Sequence, residues 1–223
     1  MGGSRDSRLI ALAAFALIAA GVVAAILISR GGGGDTSTTS ASGCKQVEAP
    51  PPKHVGYSAP KQTVKKGERL TAAVDTSCGS FEIALDTKRA PKTVNSFAFL
   101  AEKGFYDNLT FHRVAKGFVI QGGDPLGNGT GGPGYSVDEK PPPNLEYTKG
   151  IVAMAKSSAE PPGRSGSQFF VVLGADVGLP PEYALVGRVS KGFDVVARIG
   201  KLGTPAENPR QTVLIEKITI ERG

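Results

Sequence analysis

Apolar and polar positions are distributed in three different ways along this chain. Residues 9–28, LIALAAFALIAAGVVAAILI, form an unbroken run of 20 apolar or small residues with no charge inside it. At helical rise such a run is about 30 Å long, the thickness of a bilayer's hydrocarbon core, and it predicts a transmembrane helix. From Gly31 to about Lys66 no hydrophobic period appears. This stretch opens GGGGDTSTTSAS, which is flexible by composition, and turns Pro-rich at Ala49-Pro50-Pro51-Pro52, which favours a stiffer, extended chain.

From about Leu70 the texture becomes that of a folded domain. Phe81, Ile83 and Leu85 alternate with Glu82, Ala84 and Asp86, the pattern of a half-buried strand. Thr76-Ser77-Cys78-Gly79-Ser80 just before it has the turn chemistry of a hairpin. Pro91 suits the first turn of a helix; Val94, Phe97, Ala98 and Ala101 follow at i, i+3, i+4 and i+7, and Gly104 is a natural stop. Residues 151–155 and 168–173 read as buried strands, 193–199 as a second short helix, and the β-branched run 213–220 as a closing strand. The expected fold is mainly β, a closed barrel capped by two helices. The expected division is 1–30 for a cytoplasmic N-terminus and membrane helix, 31–69 for a flexible linker, and 70–223 for the folded domain.

Composition changes this picture only at its edges. The formal charge of +6 comes with no dense basic block interleaved with aromatics, so it reads as a solvated positive surface and no nucleic-acid partner is expected. Arg5 and Arg8 precede the apolar run, which places the short N-terminus in the cytoplasm and everything after residue 28 outside a cell membrane crossed once. The alternative is secretion after cleavage near Val23-Ala24-Ala25; the length of the run favours a retained anchor. Ala41-Ser42-Gly43-Cys44 resembles a lipobox, but a polar stretch separates it from the apolar run. The two cysteines, Cys44 and Cys78, and the two histidines, His54 and His112, lack metal-ligand spacing, so neither a metal nor another cofactor is expected. Export lets Cys44 and Cys78 pair as a disulfide, two free thiols being the other reading.

Three segments place polar residues inside otherwise apolar strands: FHRVAKGFVIQGGDP at 111–125, IVAMA at 151–155 and GSQFFVVL at 166–173. Together with NGTGGPG at 128–134, APKTVNSF at 90–97 and GRVSKGFDVV at 187–196, they closely resemble the cyclophilin family of peptidyl-prolyl cis-trans isomerases over residues 71–220. The resemblance implies an eight-stranded antiparallel barrel with two capping helices, and proline-containing segments of unfolded or exported proteins as partners.

Rotation about an X-Pro bond faces a barrier of about 18–20 kcal/mol because the nitrogen lone pair is delocalised into the carbonyl. A cation or donor aimed at the nitrogen favours the twisted state, in which that lone pair is localised, over either planar isomer. No nucleophile, base or metal is needed. The resemblance gives this role to Arg113, a permanently charged fork of donors, with Gln121 beside it. It places Phe118, Val119, Phe170, Leu179 and Tyr183 around the proline ring. Met154 and Ala155 are expected along the adjoining groove, and Gln168 on the substrate backbone. His112, next to the arginine, borders the substrate and reads as a hydrogen-bonded structural residue rather than a proton carrier. Two departures stand out. Lys156 occupies the place where many relatives carry Asn. No tryptophan is present, and Tyr183 stands where the best-known eukaryotic members have His, a pattern of bacterial relatives. The resemblance is therefore to a bacterial, membrane-anchored member, with only weak binding of cyclosporin-like ligands. A proline-segment binding module with little turnover is the competing class; a purely structural envelope protein leaves Arg113 and Gln121 unexplained.

Overall fold

A computed structural model describes residues 43–223. Eleven strands and two helices follow in order: β1 (Leu70–Thr76), β2 (Gly79–Leu85), α1 (Pro91–Glu102), β3 (Leu109–Thr110), β4 (Arg113–Ala115), β5 (Val119–Gly122), β6 (Val137–Asp138), β7 (Ile151–Met154), β8 (Arg164–Ser165), β9 (Phe169–Val172), β10 (Leu185–Lys191), α2 (Phe193–Gly200) and β11 (Leu214–Arg222). Nine strands form one antiparallel sheet in the order β3-β11-β1-β2-β10-β7-β9-β5-β4, and β6 pairs with β8 separately.

The sheet curls, but its ladder does not close, which corrects the expected closed eight-stranded barrel. The two terminal strands β3 and β4 are consecutive in the chain, joined by the corner Phe111-His112, and they do not pair. Both are too short to form a ladder across that corner. The free edge of β4 is covered instead by a loop: the Val114 N–H donates to the Glu207 carbonyl at 2.7 Å.

Period-2 alternation sorts the side chains of the curled sheet into two sets. Val74, Phe81, Ile83, Val114, Ile120, Val152, Met154, Phe169 and Val171 belong to the inner core, together with the buried face of α1. On that face Phe97 is fully buried and meets Phe169 edge-on at 5.5 Å. The helix starts at Pro91 without a side-chain cap of its own. Its free N–H groups are taken by a distant carboxylate, Glu139, which accepts from the Lys92 and Thr93 amides at 3.1 and 2.7 Å. That satisfies orphan donors and places negative charge at the positive end of the helix.

Between Cys44 and Lys66 the chain has neither helix nor strand, but it is bound along its length. Cys44 is joined to Cys78 by a disulfide, and Lys45 donates its amide to the Ser77 carbonyl at 2.7 Å. Lys53 and Tyr57 donate theirs to Pro125 and Pro133. The Tyr57 ring packs edge-on against Phe99 and Phe105. Asn95, buried in the middle of α1, accepts from the Thr63 and Val64 amides and donates to the Lys61 carbonyl. Among the described residues no helix is long and apolar enough to cross a membrane; the expected membrane helix at 9–28 lies outside them.

Candidate functional site

The site is built as one row across four strands. Arg113 on β4 is paired with Gln121 on β5, Gln121 with Phe170 on β9, and Phe170 with Ala153 on β7. Directly opposed residues in a sheet share a face, so all four side chains leave the sheet on the side away from the inner core. A second row, Ala115, Val119 and Val172, lies beside it on the same face. Val119, Phe170, Ala115, Ala153, Val172, Ile151 and Leu185 form a separate apolar cluster. Phe118, Ala155, Leu179 and Tyr183 pack against it, each only partly buried, and so form the open wall of a hollow.

The Arg113 guanidinium is held on two sides. Its Nε donates to Glu207 Oε2 at 2.7 Å and one terminal nitrogen donates to Gln121 Oε1 at 3.2 Å. Its central carbon stands 5.7 Å from the centre of the Phe118 ring. The remaining terminal nitrogen makes no hydrogen bond among the described residues. Gln121 in turn donates to Gln168 Oε1 at 3.0 Å, and Gln168 donates to the carbonyls of Gly129 and Gly131 at 3.0 and 2.9 Å. The loop bearing those carbonyls is wound around the buried Asp124 carboxylate, which accepts from the amides of Leu126, Asn128 and Gly129. Gly131 has no room for a side chain: a Cβ there would lie 2.1 Å from Asp124 Oδ1. A continuous hydrogen-bonded chain therefore runs from Asp124 through the loop, Gln168 and Gln121 to Arg113 and ends at Glu207. Such a chain fixes the head group before any ligand arrives, and each link is polarised by the next.

Beside this chain opens a groove of about 820 Å³, whose lining includes Gln121, Gln168, Ala155 and Lys156. A smaller hollow of about 340 Å³ lies on the other side, between Phe118 and Glu207. At the far wall, Tyr183 meets Phe170 edge-on at 5.5 Å. The fully buried Tyr147 pins Tyr183 through its backbone, donating its hydroxyl to the Tyr183 carbonyl at 2.6 Å and accepting the Tyr183 amide at 2.9 Å. Burial pushes the Tyr147 phenol up to about 12, so it stays a neutral donor.

Of the residues expected at the site, Arg113, Gln121, Phe118, Val119, Ala155, Gln168, Phe170, Leu179 and Tyr183 come together on this face. Met154 does not. It follows Ala153 in a strand, so it points the opposite way, is 1% exposed and packs in the inner core. His112 sits in the corner before β4, half-buried, with a buried Nδ1 that has no hydrogen-bond partner among the described residues. Burial lowers its pKa, the nearby Asp124 partly offsetting this, so the ring is neutral near pH 7.

Three contributors were not anticipated from the sequence. Glu207 reaches Arg113 from 94 positions away, and no period or motif marks it. Its backbone sits at φ 61, a left-handed conformation that costs an ordinary residue about 1–2 kcal/mol. Tyr147 carries only the signal of an isolated aromatic in a polar stretch. Lys156 is visible as a departure but not in its role: its side chain is 5% exposed, with the ammonium 3.2 Å from Glu182 and 5.6 Å from the centre of the Tyr183 ring.

Residues 71–220 match the family model described as Cyclophilin type peptidyl-prolyl cis-trans isomerase/CLD. The chain is 41% identical over 155 residues to peptidyl-prolyl cis-trans isomerase-like 1 of Neurospora crassa, covering 67% of this chain and 93% of that protein. It is 40% identical over 174 residues to peptidyl-prolyl cis-trans isomerase B of Streptomyces anulatus, covering 69% and 98%. Among solved structures it resembles a Cryptosporidium parvum cyclophilin type peptidyl-prolyl cis-trans isomerase crystallised in the presence of the dipeptide Ala-Pro. The TM-score is 0.64 at 32% identity, over 69% of this chain and 99% of that one.

Proposed function

The chain belongs to the cyclophilin-type peptidyl-prolyl cis-trans isomerases, and from that premise we propose that Arg113 lowers the barrier to X-Pro rotation in exported, unfolded polypeptides. The observation that carries this reading is the row Arg113–Gln121–Phe170, with the guanidinium held over the edge of the apolar hollow. A proline ring lodged among Phe118, Val119, Phe170, Leu179 and Tyr183 leaves its nitrogen facing that cation. As the bond twists, the nitrogen becomes pyramidal and its lone pair becomes an acceptor. The free terminal nitrogen of Arg113 then gains a hydrogen bond that neither planar isomer offers, which is the condition for catalysis rather than mere binding. Gln121 and Glu207 keep the head group from swinging, so little reorganisation accompanies the twist. Gln168 and Ala155 face the peptide backbone along the groove, and His112 borders it.

The relative crystallised with Ala-Pro supports proline-containing peptides as ligands of this hollow. Without a tryptophan wall, and with Tyr183 in place, cyclosporin-like ligands bind weakly. The apolar run at 9–28 and the basic residues before it support a single-pass anchor with the isomerase outside the cell membrane, or secretion if the segment is removed. The disulfide at Cys44 is a bond that persists in oxidising compartments and supports the same side of the membrane. On this reading the chain is a bacterial, membrane-anchored enzyme that assists exported proteins.

Arg113→Ala tests the assignment. In a protease-coupled assay on an X-Pro peptide, kcat/KM falls about 10²–10³-fold while circular dichroism is unchanged. Undiminished turnover in a folded variant would remove Arg113 from the mechanism.

A further inference from the structure

On the far side of the β4–β5 turn from the groove lies a cavity of about 390 Å³ that the isomerase reading leaves without a role. Its floor is apolar: Leu173, Phe193, Ala197 and Gly200. Leu173 packs directly onto the α2 backbone; a Cβ on Gly200 would lie 2.7 Å from a Leu173 methyl. Three exposed lysines, Lys116, Lys149 and Lys201, stand in the lining. None of them forms an ion pair among the described residues, whereas Lys45, Lys156 and Lys191 all do. The Lys149 ammonium lies 4.5 Å over the Phe193 ring, which keeps charge at the mouth and apolar surface beneath it.

This cavity adjoins the smaller hollow beside Phe118. Lys116 lines both it and the smaller hollow that contains Phe118. The Leu173 amide donates to the Phe118 carbonyl at 2.8 Å, so floor and proline wall share a backbone hydrogen bond. A polypeptide leaving the hollow at Phe118 meets Lys116 first and this cavity next.

We propose that the lysine-rimmed cavity is an extended subsite for the substrate polypeptide, taking an acidic side chain at its mouth and an adjacent apolar one on its floor. The proposal rests on the reading of the Phe118–Phe170 hollow as the proline site and gives that site a substrate preference. Three unpaired cations supply the charge complementarity. The floor has room for a large side chain, and the link through Lys116 makes the occupant part of the chain that carries the proline.

The test compares X-Pro peptides extended on either side by an Asp-Leu pair at successive positions with the same peptides carrying Asn-Leu. For one placement the Asp peptide has a kcat/KM about tenfold above its Asn counterpart at low salt, a difference that two or three rim ion pairs supply. In Lys149→Glu/Lys201→Glu, and in about 0.5 M salt, the ratio falls to about one as the charges are reversed or screened. Turnover of the unextended peptide with no Asp preference at any placement overturns the subsite and leaves the proline site standing. No turnover of the unextended peptide overturns the proline site itself. Absence of the preference together with binding to phosphatidylglycerol vesicles that the double variant abolishes would overturn the peptide as occupant and assign the cavity to a lipid headgroup.

Discussion

The covalent link at Cys44 offers the sharpest quantitative test of how the segment before the sheet is held. Replacing both Cys44 and Cys78 by Ala removes a cross-link that closes a loop of 34 positions. In the chain-entropy description the unfolded state then regains about 2.1 + 1.5R ln 34, roughly 12.6 cal/mol/K, or about 3.8 kcal/mol at 25 °C. For a folded unit of this size about 1 kcal/mol corresponds to 2–4 °C, so the thermal midpoint falls by roughly 8–15 °C. Both cysteines belong to the inner core and not to the cluster behind Phe118 and Phe170, so the isomerase rate measured at low temperature is unchanged. Urea unfolding followed by circular dichroism measures the loss directly, and wild-type protein under reducing conditions should show the same shift. A double variant within about 1 kcal/mol of wild type would mean that the unfolded chain is already confined in this region, and the entropic reasoning would fail.

Glu207→Ala frees Nε of Arg113 and lowers kcat/KM about tenfold with KM little changed. Stability changes by less than about 1 kcal/mol because the pair is partly exposed; an unchanged kcat in steady-state assays would strip Glu207 of any positioning role. Tyr147→Phe leaves the Tyr183 amide and carbonyl without their buried partner, costing about 1–3 kcal/mol in urea unfolding and raising KM; wild-type values for both would refute the buttress. His112 has a depressed pKa through burial, so its contribution to stability is complete above its unfolded pKa of about 6.5 and is lost as pH falls below it, by at most about 1.4 kcal/mol per unit. His112→Gln should flatten that part of the stability–pH curve; an identical slope would place the proton uptake elsewhere.

How much of this was legible in the chain differs between elements for physical reasons. The strand at Phe81, Ile83 and Leu85 and the helix from Pro91 could be read because one face of each is buried and the periodicity records it. Where a strand is apolar on both faces the record is erased. Phe169 and Phe170 are both buried, and only the register with Gln121 and Met154 shows that one faces the inner core and the other the hollow. The same loss misplaced Met154. The open seam was invisible because it depends on β3 and β4 being too short to pair, a property of the corner rather than of any side chain. Arg113 and Gln121 stood out as polar residues in apolar strands. Glu207 did not, since its position is set by loop geometry and long-range packing. Beyond Cys44 and the Tyr57 ring, the route of residues 44–66 was hidden for a related reason: their anchoring rests largely on backbone groups, which every sequence possesses.

The clamp between Cys44 and the β1–β2 turn also decides how the molecule bears mechanical load. Any tension applied through the residues before 43 enters the curled sheet at Cys78, across a covalent bond, and bypasses the weaker grip of Lys53, Tyr57 and Asn95 on the intervening segment. With the bond intact, pulling loads a hairpin flanked on both sides by ladder strands. With it reduced, the same pull peels away amide after amide.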